Sequence, residues 1–400
     1  MAILFVGSYC PQSYTKELLE TGTSPDFAGI NLQAALLDGF EKNNIEVTYI
    51  SIPNRLSYPQ SSKIFISGKY FNDRKNEKIV SNRILGFINL PIIKIFSKYF
   101  RMRRAIKSYL DYDKNSCDLF VYSLNSPFLL AAISYRKRFR STCVMITDLP
   151  EYMSGNRSIL YKIGKYIDKK IINYCLKRFN TYVLLSNKMK DKLPITHKKY
   201  ITIEGIYTAT TIQEVIPSRR NAIMYAGGIS QRYNVFDLIE AFLDIKDSTL
   251  ELWLCGPIAD IERFNSIINN DKRIKYLGLL PIDKVRALQK QVSLLINPRM
   301  SIEEFTKYSF PSKTLEYMAS GTPTMMCRLP SLPSEYLDYL YFIDIESKVG
   351  IQAAIEHFFT IPIHTRMEKA KKAQEFIMLR KSAQFQTRKV LELIHTNIMS

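Results

Sequence analysis

Short apolar runs recur along the chain, each bounded by turn residues and followed by an amphipathic stretch. This alternation limits the fold more than any other feature. Residues 2–6 (AILFV), 45–52 (IEVTYISI), 119–124 (LFVYSL), 143–149 (CVMITDL) and 182–186 (YVLLS) are strand-length and nearly continuously apolar. A strand buried on both faces reads this way, whereas one with a wet face alternates. Helical periods such as 30–44 (INLQAALLDGFEKNN) separate them. Strand, helix, strand is the βαβ unit, and its repetition builds a parallel sheet flanked by helices. The rhythm breaks in a polar, proline-punctuated stretch at 206–221 and restarts with 222–229 (AIMYAGGI), 249–255 (TLELWLC) and 292–299 (VSLLINPR). Four hundred residues are too many for one core. The expectation is two α/β domains, 1–205 and 222–375, joined by a hinge at 206–221 and followed by a helical, basic tail.

Charge is divided unequally. Lys and Arg exceed Asp and Glu by 17 in residues 1–200 (32 against 15) and by 2 in residues 201–400 (24 against 22). The first half is therefore built to meet something anionic: nucleic acid, an anionic membrane face or a phosphorylated substrate. It lacks the aromatic and basic interleaving of a nucleic-acid module, which sets that partner aside. The six cysteines are scattered and form no CxxC or Cys/His cluster, so reduced thiols are expected and no zinc site. The N-terminal MAILFVGSYC reads as a first strand and not as a signal peptide. No apolar run is long enough to span a membrane. Asp111 and Asp113 form a DxD, but ahead of a strand and not at its end, so no metal is expected there.

The stretch Phe305–Pro323 (FTKYSFPSKTLEYMASGTP) carries the most chemistry. A polar loop passes Pro311 and becomes helical at Lys313, with Ser312 as the expected N-cap and Gly321 and Pro323 as the stop. An open helix N-terminus offers N–H groups and a positive dipole end to a phosphate, and Lys313 adds a full charge. Glu316, one turn on, can accept from both hydroxyls of a ribose. Phosphate at the tip and ribose one turn along describe a nucleotide.

FPSKTLEYMASGTP resembles the donor-site segment of family 4 retaining glycosyltransferases, of the bacterial surface-polysaccharide type. The resemblance covers roughly residues 222–345. It implies the GT-B architecture: two Rossmann-like domains facing each other across a cleft, the first binding acceptor and the second donor, with a C-terminal helix (376–400) crossing back to the first domain. It implies a hexosyl transfer from a nucleotide-diphosphate sugar to a saccharide or lipid-linked saccharide acceptor, without metal or other cofactor, in a cytoplasmic enzyme. Glu316 matches the second Glu of the family's Glu-x7-Glu pattern, the ribose ligand, while Tyr308 stands at the first. Ser312, Lys313 and Arg232 would hold the diphosphate. Gly228 takes the place of the family's Arg, Gly256 lets backbone approach a bound group, and Tyr308, Ser309 and Phe310 would line the sugar. Gly29 matches one glycine of the loop ahead of the first helix. Asp148, at the end of 143–149, would orient the acceptor or take its proton, since all four histidines lie outside the candidate segments. The departures at 228 and 308 also fit a different class, a nucleotide-sugar-binding protein of the same fold without turnover.

Residues 91–110 (PIIKIFSKYFRMRRAIKSYL) form a basic amphipathic helix. Ile92, Ile95, Phe96, Tyr99, Met102, Ile106 and Leu110 fall on one side, and Lys94, Lys98, Arg101, Arg104 and Lys107 largely on the other. The expectation is an apolar face packed on the sheet and a basic face turned towards acceptor or an anionic membrane, as in a peripheral protein on the inner face of the cell membrane.

Overall fold

The computed structural model describes residues 2–20, 25–71, 82–112, 116–149, 159–208, 219–268 and 271–396. The chain forms two compact units, residues 1–206 with 383–400, and residues 207–382.

The first unit runs β1 (Ala2–Gly7), α1 (Gln12–Glu20), α2 (Phe27–Lys42), β2 (Glu46–Ser51), β3 (Phe65–Ile66), β4 (Lys69–Phe71), β5 (Asn82–Ile84), β6 (Phe87–Ile88), α3 (Ile93–Tyr112), β7 (Asp118–Tyr122), α4 (Ser126–Ser134), β8 (Thr142–Ile146), α5 (Ile159–Leu176), β9 (Thr181–Leu184) and β10 (Lys199–Thr202). Its sheet has the order β10-β9-β8-β7-β1-β2-β5-β4. Every pair is parallel except β4 with β5. The central strands are buried throughout, which is why they read as unbroken apolar runs. Right-handed crossovers put α3, α4 and α5 in one layer, where they pack side by side, and α2 on the opposite face.

The second unit runs β11 (Arg220–Ala226), α6 (Val235–Leu243), β12 (Glu251–Cys255), α7 (Ile261–Ile268), β13 (Ile274–Tyr276), α8 (Ile282–Gln289), β14 (Val292–Asn297), α9 (Ser312–Ala319), β15 (Thr324–Cys327), β16 (Tyr341–Ile343), α10 (Lys348–Thr360) and α11 (Ile363–Arg380). Its sheet, β13-β12-β11-β14-β15-β16, is parallel throughout. One core packs Phe236, Leu238, Leu294, Met318 and Phe358 against one face of it. A smaller core around Trp253 and Tyr317 fills the other.

The tail is two helices and not one. α11 belongs to the second unit, and after a break at Lys381–Ser382 α12 (Ala383–Thr396) packs on α2 in the first. Asn43 Nδ2 ties it there through Gln384 O (2.8 Å) and Thr387 Oγ1 (2.9 Å). The unit boundary thus falls at 382/383 and not at 375/376, because α11 stays anchored where Gln374 Nε2 donates to Ala319 O (2.9 Å). Most of the expected hinge, 209–218, lies outside the described residues, as does Asp113 of the DxD. Asp111 is spent on Arg138 (2.9 Å). All six cysteines are buried and none is in a disulfide.

Candidate active site

At the carboxyl ends of β11 and β12, two glycines let the backbones nearly touch. Gly227 N–H donates to Cys255 O (2.7 Å), and Gly256 N–H to Gly278 O (3.0 Å). Gly256 has φ 135°, which side-chain-bearing residues rarely adopt, and a Cβ there would overlap the Gly227 carbonyl. The crossing therefore requires glycine.

α9 delivers Lys313 to this crossing. Its anchor is Tyr317, fully buried, whose hydroxyl accepts from Ala226 N–H at the end of β11 (2.8 Å). One turn earlier, Lys313 reaches over Gly227, where a Cβ would overlap its Nζ. The ammonium lies 3.5 Å from Tyr225 Oη, and 5.1 and 5.5 Å from the ring centroids of Tyr225 and Tyr233. Burial lowers its pKa to about 8, against the attraction of Glu316 and with the repulsion of Arg299. Glu316 is shifted the other way: burial raises its pKa, opposed by Arg286 and Lys313.

Arg299, two residues beyond β14, went unnoticed in the sequence. It is only 8% exposed. Its Nη2 donates to Ser309 Oγ (2.7 Å), and its buried Nε has no partner among the described residues. Its guanidinium lies 4.3 Å from the Phe305 centroid, and that of Arg232 lies 4.6 Å from the same ring. Burial lowers the Arg299 pKa to about 10, with the Tyr233 phenol opposing and Arg232 reinforcing. The one trace in the sequence is an Arg closing an apolar strand run, at a strand end that faces ligands in such sheets.

The structure thus gathers Gly227, Gly228, Arg232, Gly256, Ser309, Ser312, Lys313 and Glu316 at one edge of the second unit. Several of them serve otherwise than expected. Ser312 is not the N-cap: Pro311 holds that position, α9 begins at Ser312, and no side chain caps it. Proline brings the extended backbone a cap position needs and no hydroxyl to compete for the first turn. Phe310 does not line a sugar site, being buried against Tyr336 (5.3 Å between centroids) in the core. Ser309 braces the loop, donating to Phe305 O (3.0 Å) while it accepts from Arg299. Tyr308 is half-buried and closes the short turn Glu304–Lys307. Gly228 O accepts from Tyr225 Oη (3.0 Å).

In the first unit, Asp148 sits exposed beyond β8. Desolvation by nearby protein raises its pKa, Thr147 opposes this by a hydrogen bond, and Asp26 adds repulsion. Gly29 does not offer a free N–H, because Asp26 caps α2 and takes that hydrogen bond (3.0 Å), leaving a carboxylate where a phosphate would approach. On α3 the expected division of faces is corrected. Lys98 is buried at 6% exposure with its Nζ 5.0 Å from the Phe87 centroid, and burial followed by Lys94 lowers its pKa to about 7. Lys94 turns inward to Arg55 O, with a pKa lowered by burial to about 8. Ile92, Ile95 and Phe96 are exposed instead. Arg101, Arg104 and Lys107 do face solvent.

Lys313 and Arg299 are partly stripped of water and, with Arg232, repel one another, an arrangement that costs free energy until an anion enters. The glycine crossing and the uncapped start of α9 lie next to these cations. The fold is that of GT-B glycosyltransferases, two Rossmann-like domains. The chain is similar to a sucrose-phosphate synthase from Thermosynechococcus elongatus at 12% identity, covering 99% of this chain and 100% of that one, with a TM-score of 0.65. It is similar to the catalytic domain of starch synthase IV from Arabidopsis thaliana bound to ADP and acarbose (10% identity, 100% of both chains, TM-score 0.64). A third is the trehalose-6-phosphate structure from E. coli bound with UDP-2-fluoro glucose (9% identity, 98% of both chains, TM-score 0.65). The model of the family described as glycosyl transferases group 1 matches residues 220–348, the segment that holds Arg232, Arg299 and Lys313. No curated protein matches the sequence.

Proposed function

We propose that the chain is a retaining glycosyltransferase of family 4 that moves a hexosyl group from a nucleotide-diphosphate sugar to a saccharide or lipid-linked saccharide acceptor. The observation that carries this reading is Lys313, half-buried over Gly227 and within the field of Arg299, with the carboxylate of Glu316 one turn further along α9. Lys313, Arg299 and Arg232 take the diphosphate, and Glu316 takes the ribose hydroxyls. The matching family model over 220–348 and the nucleotides named for the similar structures, ADP and UDP-2-fluoro glucose, support a nucleotide-sugar donor.

Catalysis rests on the departing diphosphate, whose negative charge grows as the glycosidic bond breaks. Cations already held in place stabilise that charge without reorganising, and no metal is needed for it. Lys313 and Arg299 are both partly desolvated and therefore act more strongly there than the exposed Arg232. Tyr308, in place of a Glu, contacts the sugar by its ring and phenol. Asp148, with its raised pKa, orients the acceptor hydroxyl or takes its proton. The basic first half suits an acceptor carried on an anionic lipid at the inner membrane face, as in the synthesis of a cell-surface polysaccharide.

Incubation with a panel of nucleotide sugars and lipid-linked acceptors, read by mass spectrometry for free nucleoside diphosphate, tests the reading. Acceptor-dependent release that falls by about a hundredfold in Lys313→Ala is expected, as for loss of a transition-state cation. Binding of a nucleotide sugar without release under any acceptor would favour the non-catalytic alternative, which the glycine at 228 and the tyrosine at 308 also suit.

A further inference from the structure

α3 and α5 are too long for the sheet they cover. α3 has 20 residues and spans about 30 Å, and the 18 residues of α5 span about 27 Å. The five-residue strands β7 and β8 are about 17 Å long. The C-terminal ends of both helices are tied to the amino edge of the sheet by short links into β7 and β9. Their N-terminal turns therefore overhang its carboxyl edge, the edge at which Asp148 stands.

One side of the α3 turn packs on β6 and on residues 55–57, through Ser97, Lys94 and Lys98; the other side is apolar and exposed among the described residues. On α3 and just before it, Ile92 is 73% exposed, Phe96 59% and Phe100 60%, with Ile93 and Ile95 also exposed. Ile92 has φ 65°, a strained conformation for a β-branched residue, and its side chain is left exposed among the described residues. On α5, Ile163, Tyr166 and Ile167 are exposed, and an apolar groove runs from Leu130 of α4 along Tyr166, Ile167 and Tyr174. The two helices both pack on α4 and lie in one layer. Arg101, Arg104 and Lys107 on α3 and Lys162 and Lys170 on α5 are exposed among them. The acids described on these helices are Asp111, paired with Arg138, and Asp168.

We propose that this face docks on an anionic lipid bilayer, with the overhanging turns of α3 and α5 inserted among the headgroups. Apolar and aromatic tips within a field of cations match an interface that is apolar below and anionic above. No helix among the described residues is long and apolar enough to cross a membrane. The apolar residues insert and the arginines supply the preference for anionic lipid. This deepens the reading of a lipid-linked acceptor, since it puts the membrane at the edge of the sheet that carries Asp148. Docking itself needs no substrate, so its failure would leave the donor reading standing.

Co-sedimentation of the full chain with vesicles of phosphatidylglycerol and phosphatidylcholine in equal parts, and of phosphatidylcholine alone, is the test. Preferential binding to the anionic vesicles is expected. Phe96→Ser with Phe100→Ser should weaken it by about tenfold or more through lost insertion. Arg101→Glu with Arg104→Glu should abolish the anionic preference. Melting temperature and nucleoside-diphosphate affinity should stay at wild type in both variants, which excludes unfolding as the cause. Equal, weak binding to both vesicle types would overturn the proposal. So would unchanged binding in the phenylalanine variant, or a concentration-dependent dimer that the same variant dissolves while vesicles bind neither protein.

Discussion

The two cation-rich regions of this protein sit in places opposite to what net charge suggests. The first 200 residues carry an excess of 17 positive charges and the second 200 an excess of 2. Yet the half-buried Lys313 and the buried Arg299, with pKa values pushed down to about 8 and about 10, belong to the second unit. The arginines of α3 in the first unit stand in water, while its half-buried Lys94 turns to Arg55 O and its buried Lys98 to the Phe87 ring. A surface charge is screened and acts over a broad area; a desolvated one acts on a single ligand at a single distance. Excess charge spreads over a surface, whereas Lys313 and Arg299 are desolvated cations gathered at one strand edge; Lys98, buried alone against Phe87, has no such company.

That contrast can be broken in order of expected effect. Gly227→Val puts carbon where the Lys313 ammonium lies and should weaken nucleoside-diphosphate binding by about 3 kcal/mol, as overpacking of a tight site does. Calorimetry would check it, with the melting temperature recorded to separate lost binding from lost fold. Arg299→Ala should cost about 1.5–3 kcal/mol through a lost charge-assisted hydrogen bond, and should cost pyrophosphate as much as nucleoside diphosphate. Glu316→Ala should differ in kind: about 1–3 kcal/mol for the nucleotide and nothing for pyrophosphate, since only the nucleotide has a ribose.

A pH series sharpens the comparison further. Lys313 has a pKa of about 8, below the usual lysine range, and a bound diphosphate favours its protonated form. Binding therefore takes up a proton as pH rises past 8, and affinity should fall with it, by up to about tenfold per pH unit. Lys313→Arg should flatten that fall. A profile level from pH 7 to 10 would mean the ammonium is not part of the anion site. At the small end, Arg101→Glu with Arg104→Glu should change nucleotide affinity by less than about 0.5 kcal/mol, the usual reach of exposed charges.

What could be read from the sequence follows the same physics. Strands buried on both faces announce themselves as apolar runs, so the parallel sheets were legible, as was the helix from Lys313 to Ala319 with Glu316 one turn in. Short polar strands such as β4 (Lys69–Phe71) and the break between α11 and α12 were not, because neither has a period of its own. Arg299 was hidden because burial and an unpaired Nε are properties of packing, not of spacing. Ser312 misled because a serine beside a proline suits either role, and the proline won the cap. On α3 the helical wheel sorted residues into two faces on the assumption of a sheet along its whole length. The sheet ends before the helix does, so Phe96 is left outside and Lys98 is drawn in.

The central claim is that Lys313, held over Gly227, receives a diphosphate. Calorimetric titration of UDP, ADP and pyrophosphate into the wild-type chain and into Lys313→Ala at pH 7 tests it most directly. At least one nucleoside diphosphate should bind the wild type, and all of the ligands that bind should be weakened by about 2–3 kcal/mol in the variant. Equal affinities in the two proteins would contradict the account.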